Sequence, residues 1–323
     1  MADYKTIKGT KIQNYTTDPD NPLTGQVWYN ETDQVLKTFY VNPGTWATGG
    51  DLNTARRLFA GSGTQTAALG FGGTPTPLGI TESYNGTSWT EVNDLNTARF
   101  SLAGAGTQTS TLAFGGRTAT RVALTESWNG TNWTEVNDLN TVRGGLGGAG
   151  ADNTSALAFA GEVPPYTANT ESWNGTSWTE VNDLNLARNG LAGVGIQTAA
   201  LAAGGNALPP VGDTGATESW NGTSWTEVND LNTARANFQG AGTQTSALGY
   251  GGEPPTSTPT AATESWNGTN WTEVNDLNTA RDNFGTAGAN NTSALAFGGE
   301  TPATVATTEE WTASPVTKTI TSS

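Results

Sequence analysis

The chain has no cysteine, no histidine and a single methionine in 323 residues. Without cysteine it has neither disulfides nor thiolate metal sites. Without histidine it lacks the usual general base and the commonest metal ligand. Charge is scarce as well: 13% of residues are charged, against ~25% in ordinary globular chains, and lysine is rare. The net charge of −15 argues against a nucleic-acid partner, because phosphates need a Lys/Arg surface. It argues equally against anionic membranes. No apolar run approaches the roughly 20 residues of a membrane helix, so no membrane insertion is expected. The opening "MADYKTIKGTKIQ" lacks the apolar stretch of a signal peptide, which leads to an expectation of a cytoplasmic protein, or one that leaves by a non-secretory route. Helix signals are missing too, since Gly, Thr, Asn and β-branched residues dominate with no 3.6-residue apolar period.

What the chain does have is repetition. "DLN" begins at Asp51, Asp94, Asp138, Asp183, Asp230 and Asp276, in steps of 43, 44, 45, 47 and 46 residues. An arginine follows five residues after each Asp: Arg56, Arg99, Arg143, Arg188, Arg235 and Arg281. Each unit then runs through an apolar stretch closed by Gly-Gly or Ala-Gly, and on to "TES" or "TEE" with Glu82, Glu126, Glu171, Glu218, Glu264 and Glu309. Four short strands fit each unit, for example "RFSLAGAG", "STLAFGG", "TESW" and "NWTEV" in the second. Asn-Gly between the last two predicts a hairpin, with both residues suited to the positive φ of a type I′ turn. Four strands in about 45 residues is the signature of a propeller blade.

These residues carry a family resemblance. "DLNTAR", an apolar strand ending in Gly-Gly, and then "ESWNGTSW" resemble the kelch repeat over about residues 36 to 320. The resemblance implies an all-β, six-bladed kelch-like β-propeller of four-stranded antiparallel blades, with a short N-terminal extension over 1–34 and the propeller over 35–323. The front of the chain, "LKTFYVNPGTWATGG", looks like a third and fourth strand; the back, ending at "TTEEW", supplies a first, second and third. Exchange of strands between termini would close the ring through Trp46 and remove its edges. The tail "PVTKTITSS" is the alternative closing strand. Some kelch proteins resemble galactose oxidase, but the His and Cys that its copper site needs are absent here. "SWNGTSW" is one residue short of a sialidase Asp box and has Asn for Asp. No nucleophile–base constellation is recognisable, so no enzymatic activity, cofactor or metal is expected.

Length variation sits almost wholly in one loop. Between Gly-Gly and "TES" lie 7, 8, 8, 11 and 10 residues in the first five units, and the remainder is 36 or 37 throughout. These loops are Pro-rich and unlike one another. Strand alternation places them on one face, and the near-identical "GTQT" and "NGTSW" turns on the other. Binding residues favour loops on a rigid scaffold, which gives a recognition face; free drift of loops explains the same pattern. Arg117, Arg121, Pro164, Tyr166, Asp213 and Glu253 are the candidate ligand contacts in these loops. The regular Trp residues either stack sugars or pack between blades. The six Arg and six Glu form either a polar ligand ring or a repeated structural pair. "NDLN" offers oxygens for Ca²⁺, or simply Asx-type hydrogen bonds.

The leader "DPDNPLTGQVWYNETDQVLKTFY" resembles the short leaders of tailed-phage virion proteins, especially of marine phages, with a "GQ(I/V)WYN…LK" signature before kelch-like repeats. That resemblance implies a tail-fibre, tail-tip or capsid-decorating protein, assembled in the host cytoplasm and present in several copies within the particle. The expected partners are other virion proteins, through a leader made locally positive by Lys5, Lys8 and Lys11, and a host-surface glycan or protein. The alternative is a bacterial kelch-like surface or scaffold protein for protein–protein or glycan binding.

Overall fold

The computed structural model describes residues 12–19, 26–41 and 43–320; Lys5, Lys8 and Lys11 lie outside them. The chain divides into two compact units, 1–44 with 313–323, and 45–312. No helix occurs among the described residues.

The larger unit is built from six four-stranded antiparallel sheets. In the second, Ala103–Thr107, Ser110–Phe114, Thr125–Trp128 and Trp133–Val136 follow in chain order from inner to outer strand. The inner strands of the others are Ala60–Thr64, Gly147–Asp152, Ala192–Ile196, Gln239–Thr243 and Gly285–Asn290. Each inner strand lies beside the next, and Gly285–Asn290 lies beside Ala60–Thr64. Repeated sheets arranged in this way are the architecture of a β-propeller. Crowding at the centre explains the glycines of the inner strands. A Cβ on Gly61 would stand 2.3 Å from the Thr286 carbonyl oxygen, and one on Gly193 2.6 Å from that of Gly148.

Aromatic rings fill the gaps between sheets. Phe71 meets Trp133 of the next sheet with ring centroids 5.0 Å apart, Phe114 meets Trp178 at 5.0 Å, and Phe159 meets Trp225 at 5.0 Å. Tyr250 meets Trp46 at 4.9 Å and Phe297 meets Trp89 at 4.6 Å, so the last sheet is joined to the first in the same way. Each outer-strand Trp donates its indole N–H to a Thr hydroxyl of the preceding sheet, as Trp133 does to Thr81 at 3.1 Å. The regular Trp residues are therefore interior, each contributing about 1.5–3 kcal/mol of burial, and are not available to stack sugars.

The sixth sheet takes its outer strand, Thr45–Thr48, from the far end of the chain: it pairs antiparallel with Thr308–Thr312, Trp46 opposite Trp311. The tail segment Pro315–Thr319 pairs instead with Val35–Val41. Residues 35–41, whose sequence looks like a third blade strand, do not take that place. Thr308–Thr312 already fills it and supplies the Glu309 that the site of Arg281 requires, which residues 35–41 lack.

One local expectation fails. At the Asn-Gly hairpins only glycine has positive φ, as at Gly86 (89°) and Gly130 (91°). Asn85 uses its side chain instead, accepting the backbone N–H groups of Thr87 and Ser88 at 3.0 and 2.9 Å. The connection is a four-residue Asx-stabilised loop rather than a two-residue I′ turn.

In the smaller unit, Gln13–Tyr15 runs parallel to Val27–Asn30, which pairs antiparallel with Val35–Val41. Asp18 is its polar centre. It accepts from the Trp28 indole at 3.1 Å, the Asn30 amide at 2.8 Å and Lys37 at 2.9 Å. Those bonds, Asn30's first, hold the Asp18 carboxyl below its ordinary value. The "WYN…LK" signature of the leader thus places three side chains on one aspartate.

Candidate functional site

The repeated polar residues are structural in geometry. Arg99 and Glu126 are buried and 3.2 Å apart, and the other five pairs lie 2.7–3.3 Å apart. Burial pulls the guanidinium pKa of Arg56 and Arg99 down to about 10 against the pull of the paired carboxylates. "DLN" joins successive sheets. Asp94 accepts from the Thr81 N–H of the first sheet at 3.1 Å, while Asn96 donates backbone and side-chain N–H to Glu126 of the second at 2.7 and 2.9 Å. Asp51 and Asn53 make the same join between the sixth sheet and the first. In each "DLN" one Asp oxygen accepts a strand-edge N–H, and among the described residues no three acidic groups converge as metal ligands would.

On the face carrying the "GTQT" turns the chemistry is uniform. Gln65 donates to the Trp311 carbonyl of the neighbouring sheet at 2.6 Å, and Gln244 to that of Trp220 at 2.5 Å. Where asparagine replaces glutamine, as at Asn153 and Asn291, a bulge in the inner strand adds a residue, and the shorter amide reaches the Trp128 and Trp266 carbonyls at 3.0 and 3.3 Å.

The opposite face carries the unlike loops, and the candidate contacts fall there into separate groups. Arg117 and Arg121, both on the second loop, pair with Glu162 of the third. The two guanidiniums share this one carboxylate, so the group keeps a net positive charge. Burial lowers the Arg117 pKa, with Arg121 adding to it. Tyr166 bridges Glu162 through backbone and is half-buried, and Pro164 is exposed. Asp213 accepts from Asn206 at 2.5 Å within a small hairpin whose tip exposes Leu208 and Val211. Glu253 lies elsewhere on the rim, taking a long bond from Asn237 at 3.4 Å. Near it are Asp282 and Glu300, the latter paired with Arg57. Burial first, then Glu253 and Glu300, pushes the Asp282 pKa up to about 6, and its Oδ1 has no hydrogen-bond partner.

Between the groups lies the mouth of the central channel. Leu58, Ser101, Gly145, Gly190, Asn237 and Asn283, each two residues after the repeated Arg, all have positive φ of 51–63°. Each donates its N–H to the carbonyl of its counterpart in the preceding unit, at 2.7–3.0 Å, and Leu58 donates to Asn283. Six backbone hydrogen bonds therefore form a closed annulus. It lies in the wall of a cavity of about 330 Å³ that also includes Arg117, Glu162 and Asn189. Below it the inner strands line a narrower channel of about 170 Å³. Leu58 is the costly member: a left-handed leucine costs about 1–2 kcal/mol, where glycine or asparagine would sit more easily.

Sequence reasoning missed this annulus. The signal was present. Between the repeated Arg and a buried Leu or Phe stand "RL", "FS", "GG", "NG", "AN" and "DN". No two copies carry the same pair, although the surrounding unit is nearly constant in sequence and length. No protein-family model matches the chain, and no curated protein matches it in sequence.

Proposed function

We propose that this protein is a non-enzymatic, virion-attached recognition protein of a tailed bacteriophage: a six-bladed kelch-like propeller that presents its loop face to a host-surface glycan or protein. One observation carries the recognition half of this reading. Sequence and length variation are concentrated on one face, in the loops and at the channel mouth, while the other face repeats the same Gln or Asn brace from sheet to sheet. Rigid scaffolds with one diversified face are suited to binding. The virion half rests on the leader, whose Trp28, Asn30 and Lys37 converge on Asp18 and so make the signature a folded motif. Attachment through the leader to other virion proteins, in several copies, follows from the same resemblance. Purified particles test it: the protein should co-sediment with virions, and the isolated chain should compete with them for adsorption to host cells. Failure to co-sediment removes the virion reading.

A second reading, a bacterial surface or scaffold protein making protein–protein contacts, is favoured by the exposed Leu208 and Val211 at one loop tip. Loss of a protein partner on changing both to Ser would support it.

A further inference from the structure

We propose that the channel mouth, rather than the long Pro-rich loops, holds the ligand, and that the ligand is a single neutral sugar ring. This rests on the recognition reading above and assigns it a site and a chemistry. The cavity of about 330 Å³ is at the small end of ligand sites, which run from ~300 to 1,000 Å³, so it suits one ring and not an oligosaccharide.

Its wall is polar on one side and apolar on the other. The adjacent glycines of the annulus, Gly145 and Gly190, let neighbouring amide side chains lie close to the backbone. A Cβ on Gly190 would meet the Asn237 side-chain oxygen at 2.7 Å, and one on Gly145 would come 3.7 Å from the Asn189 amide nitrogen. Two neighbouring amides thus stand beside the annulus, on residues that line the cavity. Asn189 makes no side-chain hydrogen bond among the described residues, and Asn237 leaves its oxygen unengaged. Amides offer both donors and acceptors, which matches adjacent hydroxyls. Elsewhere around the same cavity stand Leu58 and Phe100, both half-buried, a surface for the C–H face of a pyranose. Leu58 occupies a backbone conformation where the other copies carry Ser, Gly or Asn. Strain of that kind persists where function keeps it. The charge pattern selects a neutral ligand. Arg57, Arg117 and Arg121 stand against Glu162, Glu253, Asp282 and Glu300, with Arg57 on Glu300 and both other arginines on Glu162, so the charges around the mouth nearly balance and favour neither sign.

The test is an array of neutral, sialylated and sulfated glycans, followed by titration of the free monosaccharide that terminates the best hit. Wild-type protein should bind neutral glycans. Asn189→Ala and Phe100→Ala should each weaken binding at least tenfold at unchanged melting temperature, and Tyr166→Ala should not. Leu58→Asn, the residue that two other copies carry, should weaken binding while the melting temperature holds or rises; a fall in both assigns Leu58 to the scaffold and counts against the site. Retained binding in the Asn189 and Phe100 variants, or binding only to anionic glycans, overturns the proposal. If the protein binds host cells but no glycan, the sugar site fails and the recognition reading stands. If it binds neither, both fail.

Discussion

At the scale of the residue, the repeated Arg and Glu show how a sparse set of charges is used. Nearly all the polar atoms of Arg99 are engaged: its guanidinium donates to the carbonyls of Ala113, Gly115 and Leu124 and to Glu126. Removing one partner of a buried pair leaves the other charge uncompensated, at about 3–5 kcal/mol. Arg99→Ala is expected to lose that much in urea unfolding, well beyond what an exposed outer-strand charge such as Glu91 would cost. Asp282 works in the opposite sense. A carboxyl whose pKa is raised from 3.8 to about 6 in the fold destabilises the folded state when ionised. That penalty is full above pH 6, shrinks as pH falls below 6, and vanishes once the pH passes below 3.8. Asp282→Asn should therefore raise the melting temperature at pH 8, by roughly 2–4 °C per kcal/mol released, and the gain should fade toward pH 4. A gain that is the same at both pH values would show that ionisation of Asp282 is not its source.

At the scale of the element, the inner strand is the constrained part. Alternating Ala and Gly in "AGAG" reads from sequence as a weak strand, and it is one because six such strands must crowd around a narrow channel. Gly61→Ala forces a methyl against the Thr286 carbonyl, and overpacking of this kind costs about 1–3 kcal/mol. The expected result is a lower urea midpoint with an unchanged slope. The same substitution at Gly212, where a Cβ would meet nothing within 4 Å, lacks the clash and serves as the control, although its positive φ of 68° still disfavours alanine. Strand positions were legible from the repeat alone, because near-identical copies must share one structure. The hairpin loop type was not: Asn-Gly fits two turn geometries, and the choice of an Asx-stabilised loop depends on the Trp128–Trp133 type of cross-strand pair that closes it. Of the loop residues chosen from sequence, Arg117 and Arg121 look like free cations until Glu162, 45 and 41 residues further on, is brought beside them.

At the scale of the whole larger unit, closure is the decisive property. Thr45–Thr48 is separated from its partner strand by most of the chain, yet it supplies Trp46 to a packing position that Trp89, Trp133, Trp178, Trp225 and Trp271 fill elsewhere. Trp46→Ala should cost about 3–5 kcal/mol. Because every sheet borders two others, the loss should lower one shared transition, with far-UV circular dichroism and tryptophan fluorescence remaining coincident in urea. A separate early transition would mean that the sixth sheet is not coupled to the rest.

The sequence by itself determined the all-β class, the repeating four-strand unit, the spacing of the aromatic and Arg–Glu positions and the face on which variation collects, because each is a property of one unit written many times. Only the tertiary structure decided that the repeated Trp, Arg and Glu are buried, which distant strand completes the sixth sheet, which loop charges pair, and that six residues of four types meet in a hydrogen-bonded annulus. Those depend on contacts between units, and spacing along a chain does not encode what stands beside it across a ring.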